Sequence, residues 1–221
     1  MWATARAAWH SYASLLARRP YLTSAATGGC VMLSGDALAQ YSERCRTSGG
    51  HAAAGYDKIR AGVMVGFSMG AFMPINTLWY RAVVEPLLPD LAQHRIPFPR
   101  GALAPAWLPF FIARTLGKGA LACSPALVLN PIFFVWAPTA EAVAGAALSG
   151  GGGGDVDWSA VKTRVEKHFS EDLVAVVSNS YSLWVPVNCV NFVVTPMQYR
   201  IVVMAVISNF WNWYLSLIQH K

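Results

Sequence analysis

Charge is what this sequence has least of. Asp, Glu, Lys and Arg make up 13% of the 221 residues and hydrophobic residues 55%, whereas a soluble domain needs roughly a quarter charged to coat its surface. One water-soluble core is thereby excluded. Several catalytic signatures are also missing: HExxH, GxxxxGK[ST] and GxGxxG do not occur. The five histidines, at positions 10, 51, 94, 168 and 220, fall in expected loops or termini without an acid or nucleophile at useful spacing. No enzyme and no cofactor are expected. The four cysteines, Cys30, Cys45, Cys123 and Cys189, form no CxxC pair. Neither a disulfide framework nor a zinc site is indicated, and the thiols are expected reduced and buried. The formal charge of +6 is not gathered into a basic stripe interleaved with aromatics, so nucleic acid is not an expected partner.

Acid is absent before Asp36, and the first twenty residues hold no continuous apolar stretch, which argues against a secretory signal. Two readings of this arginine-bearing segment stand side by side. One is a mitochondrial transit peptide. The other is an amphipathic interfacial helix, residues 1–20, with Trp2, Trp9, Tyr12, Leu15 and Leu16 in the headgroup region.

What the chain does have is long runs without charge. Twenty uncharged residues separate Arg60 from Arg81; as a helix they span about 30 Å, the thickness of a bilayer's hydrocarbon core. The pattern predicts an all-α, multi-span helical membrane bundle of about four transmembrane helices in a single integral membrane domain. Expected spans are 21–41, 59–84, 119–136 and 197–219, with 173–194 a further apolar helix, packed or spanning. A glycine-rich linker at 149–155 contains Gly150 to Gly154, and the charged stretch from Trp158 to Asp172 reads as a water-exposed helix. Trp211, Trp213 and Tyr214 read as interfacial aromatics. Lys and Arg divide too evenly between the two sides to set orientation.

Polar residues inside such runs are the candidate functional positions. Asp36 and Gln40 are four apart and share a helix face; Asp36 points either into the bundle or to the headgroup level. Arg200 separates two apolar runs and is a candidate counter-ion. With Asn76, Lys118, Asn130, Asn188 and Asn191 these residues form a candidate pore or polar interior, the plainer alternative being interhelical hydrogen bonds that only hold the bundle together. Gly62, Gly66, Gly70 and Pro74 repeat every four residues. That spacing reads first as close helix packing within the chain, and second as an oligomer interface.

These residues resemble the family of Mpv seventeen and the twenty-two-kilodalton peroxisomal membrane protein. Its N-terminal pattern stands here as Trp9, Tyr12, Pro20, Thr27, Gly29, Gly35-Asp36 and Gln40, followed by Arg60, Pro74 and Trp79-Tyr80. Its C-terminal pattern stands as Trp184, Asn191-Phe192, Pro196, Arg200 and Trp211 through Ser216. Three departures occur. Gly119-Ala120, beside Lys118, replaces the usual Asp-Gln pair; the Trp-Pro is interrupted as Trp184-Val185-Pro186, with Asn188 for the following Gln; and the glycine run lengthens a loop. The resemblance implies a four-span channel or pore-like protein of the mitochondrial inner membrane, or secondly of the peroxisomal membrane, serving solute balance. A non-transporting structural or assembly protein is the alternative. Lipid, small solutes and a second copy of the chain are the partners it suggests.

Overall fold

Prolines and capping aspartates decide where the helices of this chain start, bend and stop. The computed structural model describes residues 2–47, 55–89, 104–148, 155–195 and 200–219. Among them are helices α1 (Trp2–Arg18) and α2 (Pro20–Thr47), α3 (Lys58–Leu87), α4 (Ala104–Cys123) and α5 (Ala126–Leu148), α6 (Trp158–Val193) and α7 (Arg200–Gln219). No strand occurs among the described residues. The chain is an all-α, multi-span membrane bundle: α3, the α4–α5 rod from Pro109 to Leu148, and α6 are each long and apolar enough to cross a bilayer, with α2 and α7 packed alongside. The expected linker falls, for 149–154, outside the described residues.

Asp57 caps α3 by accepting from the Arg60 N–H at 2.9 Å, and Asp157 caps α6 through the amides of Ser159 and Ala160; each satisfies donors that a helix start leaves unpaired. Pro125 separates α4 from α5. Having no N–H, it cannot bond the Leu121 carbonyl, which instead accepts from the Trp79 indole at 2.9 Å and the Ser124 hydroxyl at 2.8 Å. The expected span 119–136 is therefore broken near its start, and α5 continues to Leu148. In α3, π-helical turns at Ser68–Phe72 and Tyr80–Val84 lie just before Pro74 and Pro86, where a backbone donor is missing.

Successive rods run in opposite directions, which sets α7 parallel to α2. Asn209 meets Ser34, and the Trp213 indole donates to Ser42 at 3.0 Å. Contacts of α4 and α5 with α6 complete the bundle. Its core joins Met64, Phe67, Leu129, Phe133, Phe134, Val176, Trp211 and Leu215. Since lipid is as apolar as these side chains, tight van der Waals packing is what favours them inside. Trp211, expected at the interface, is in this core instead, its ring 5.3 Å from that of Tyr214 and 6.3 Å from that of Trp184.

The glycine series requires correction. A Cβ on Gly62 or Gly70 would meet nothing within 4 Å, and one on Gly66 only the edge of Trp136. Together with half-buried Pro74, these residues are not where helices of this chain approach closely. Gly28, Gly29, Gly35 and Gly119 are. A Cβ at Gly35 would lie 2.6 Å from Asn212 Cβ, so the α2–α7 seam depends on its absence. The cysteine expectation fails in part as well: Cys123 is buried, but Cys30 and Cys45 are exposed.

Candidate functional site

Three polar clusters are built into the bundle. The first ties α2, α3 and α7. Asp36 is fully buried and accepts from Arg60 Nε at 2.9 Å, Ser216 Oγ at 2.6 Å and Gln40 Nε2 at 2.8 Å. The other side of the guanidinium forks onto both Glu43 carboxylate oxygens at 2.8 and 2.9 Å. Arg60 Nη2 also donates to Ser216 Oγ at 2.7 Å. Gln40 accepts from the Asp57 N–H at 2.8 Å and donates to its carbonyl at 3.0 Å, locking the chain as it enters α3. A buried pair offsets its desolvation only with such full hydrogen bonding.

Asp36 and Gln40 are thus interior, as one of the two readings had it, but the counter-ion is Arg60. Arg200 opens α7, whereas Ser216 near its other end meets Asp36; sixteen residues of helix put about 24 Å between them. The Arg200 side chain lies outside the described residues. In the sequence Arg60 bounds an apolar run and belongs to the family pattern, but its pairing with Asp36 was not legible, because a partner 24 residues away carries no local signature.

The second cluster lies at the far end of α3. Lys118 Nζ donates to Glu85 Oε2 at 3.0 Å and stands 4.9 Å from the Phe192 ring centre and 5.6 Å from that of Tyr80, so aromatic faces share its charge. The adjoining Gly119 explains one departure from the family pattern: a Cβ there would lie 3.0 Å from Cys189 Sγ and 3.1 Å from the Val185 carbonyl oxygen. No carboxylate fits between α4 and α6 at that point. From Arg60 to Glu85 the helix rises about 37 Å, more than a hydrocarbon core of about 30 Å. The two ion-pair clusters consequently mark opposite faces of the membrane.

The third cluster was missed. His168, expected in a loop without an acid, is buried in a π-helical turn of α6 with Nδ1 2.9 Å from Asp172 Oδ2. Its ring stacks on Phe134 at 5.1 Å. The signal was the i, i+4 spacing, obscured because the surrounding stretch is charged enough to read as solvent-facing. Lys162 and Glu166 are indeed exposed, while the next turns enter the bundle.

Other candidates are dispersed. Asn76 donates to Phe72 O of its own helix at 2.8 Å, and Asn188 reaches Cys123 Sγ at 3.5 Å. Asn130 and Asn191 are buried, with Asn130 Nδ2 and Asn191 Oδ1 lacking protein partners. The packed rings of Phe67, Phe133 and Phe134 occupy the core, and the length of α3 separates the Asp36 cluster from the Lys118 cluster. A cleft of about 540 Å³ opens between α5 and α6, lined by Glu141, Gly145, Asp157 and Arg164 among others. Its cation is committed: Arg164 donates to Glu141 at 2.7 Å and to the Gln219 carbonyl at 2.8 Å. Hydrogen bonds from the Ser159 hydroxyl and the Ala160 N–H hold the Asp157 carboxyl below the usual carboxylate range. No group of three or more metal-ligating side chains occurs among the described residues.

A family model described as the Mpv17 / PMP22 family matches residues 157–216. Protein sym-1 of Neurospora crassa is 27% identical over 210 residues, covering 93% of this chain and 95% of its own. The mitochondrial inner membrane protein Mpv17 of Mus musculus is 25% identical and that of Homo sapiens 24%, each over 219 residues, 97% of this chain and 99% of the relative. No solved structure matches. With relatives aligned end to end and helices built to cross a bilayer, this is an integral protein of the mitochondrial inner membrane, similar along its length to members of the Mpv17 / PMP22 family.

Proposed function

We propose that the chain is a channel or pore-like protein that contributes to solute balance across the mitochondrial inner membrane, and that it performs no catalysis. One observation carries this reading. Asn130 Nδ2, Asn191 Oδ1 and His168 Nε2 are buried without a protein partner inside a bundle whose two ends carry the Arg60 and Lys118 ion pairs. Unpaired polar atoms are costly in a membrane interior and are kept where water reaches them. The packed Phe67, Phe133 and Phe134 rings then form the hydrophobic closure that conduction must displace. The test is reconstitution of the full chain in planar bilayers with small ions and metabolites. Conductance that changes in Asp36→Asn and Lys118→Gln, and that rises in Phe134→Ala, supports the reading; silence from correctly folded protein overturns it.

A second reading, a structural or assembly protein, is favoured by the open face of Gly62, Gly66 and Gly70, which admits close approach by another helix. Gly66→Leu should then dissociate a complex on native gels, and unchanged migration would remove the argument.

A further inference from the structure

We infer that the Lys118 end of the bundle carries a surface site for anionic phospholipid, formed by Arg18, Arg19 and Arg81. The inference starts from an imbalance between the ends. Around the Asp36 cluster, cations stand among the carboxylates of Asp36, Glu43, Asp57, Glu141, Asp155 and Asp157. At the opposite end the described cations Arg18, Arg19, Arg81, Arg114 and Lys118 face one described carboxylate, Glu85, and Lys118 takes it at 3.0 Å. Arg114 donates to the Pro89 carbonyl at 3.0 Å. Arg18, Arg19 and Arg81 are exposed and make no ion pair among the described residues.

The three lie at one level. Gly28 of α2 packs against Met73 of α3, and the helices are antiparallel. Nine residues back to Arg19 and eight forward to Arg81 are about 13 and 12 Å in the same direction. The Tyr12 hydroxyl lies 3.1 Å from Thr27 Oγ1, so the chain doubles back at Arg19 and leaves Arg18 and Arg19 at the tip of the α1–α2 turn.

What lies beneath the arginines identifies the ligand class. Leu22 follows Arg19 by three residues and Leu78 precedes Arg81 by three, which places each leucine on its arginine's helix face one turn nearer the membrane centre. Both are exposed, at 66% and 54%. A guanidinium above an exposed leucine, repeated on two antiparallel helices, matches a phosphodiester above an acyl chain. A free phosphate would use only the upper half. Guanidinium is suited to the phosphate by its fixed fork of donors, and each basic residue at a membrane surface is worth about fivefold in attraction for anionic lipid.

The test uses the full chain in neutral detergent, with bound lipid counted by native mass spectrometry during titration with phosphatidylglycerol or phosphatidylcholine. Phosphatidylglycerol is expected in clear preference, and Arg18→Gln/Arg19→Gln/Arg81→Gln should lower that preference by about a hundredfold if the three contributions multiply. Lys162→Gln/Lys167→Gln, at the other end, should keep it. Raising salt on the unaltered chain should weaken the preference in the same direction, a readout that needs no variant. Equal binding of the two lipids, or a preference untouched by the triple substitution, overturns the inference. Full competition by millimolar inorganic phosphate also overturns it, assigning the arginines to a soluble anion.

Discussion

Arg60→Gln should be the most damaging single substitution at the Asp36 cluster, and the geometry ranks it against its neighbours. Removing the guanidinium leaves Asp36, with no solvent exposure, holding only the neutral donors Gln40 and Ser216. Glu43, whose side chain is 32% exposed, can turn to water. Stranding one member of a buried ion pair costs about 3–5 kcal/mol. Asp36→Asn is milder, because Arg60 keeps its two-pronged contact with Glu43 at 2.8 and 2.9 Å; the loss is then about 1.5–3 kcal/mol, the range for hydrogen bonds to charged groups. Combining the two leaves no stranded carboxylate, so the double variant should be less destabilised than the sum by about 0.5–3 kcal/mol. For a chain of this length 1 kcal/mol moves the midpoint by about 2–4 °C, which puts Arg60→Gln about 10 °C below the unaltered protein. Tryptophan fluorescence melting of all four proteins in one detergent reads this directly. An Arg60→Gln midpoint within about 2 °C of the unaltered chain, or strictly additive losses, would refute the account of this cluster.

Other outcomes follow from the same contacts. Gly35→Ala drives a methyl group to within 2.6 Å of Asn212 and should cost about 1–3 kcal/mol, whereas Gly62→Ala, with open space around it, should be neutral or gain up to about 1 kcal/mol from helix propensity; melting midpoints compare them. A membrane-impermeant maleimide should label exposed Cys45 in opened membranes and leave buried Cys123 unmodified until the chain is denatured, as peptide mass mapping would report. Asp157 has a depressed folded pKa, so its cap stabilises α6 fully above the ordinary aspartate range and is lost as pH falls through the lowered value. Protection of the Ser159 and Ala160 amides, measured against their intrinsic exchange rates, should fall as pH drops below the ordinary aspartate range, and Asp157→Asn should flatten that dependence while keeping a cap.

Sequence alone determined the solvent and the class of this protein. Uncharged runs matched to bilayer thickness can be satisfied only by helices, because lipid offers backbone groups no partner; that argument needs no coordinates. Asp36 and Gln40 were legible as a pair for the same kind of reason, since i, i+4 spacing is local geometry. Tertiary structure decided the rest. Whether a polar residue meets its counter-charge depends on which helices lie side by side and in which direction, and a charge flanking an apolar run reads alike whether it faces headgroups or, like Arg60, reaches Asp36. The glycines make the same point: Gly62, Gly66 and Gly70 have the spacing of a packing face, but the orientation of α3 turns it outward, and close approach falls to Gly28, Gly35 and Gly119, whose significance exists only once a second helix stands against them. Local periodicity fixes a helix and its faces; the partner of each face is a property of the assembled bundle.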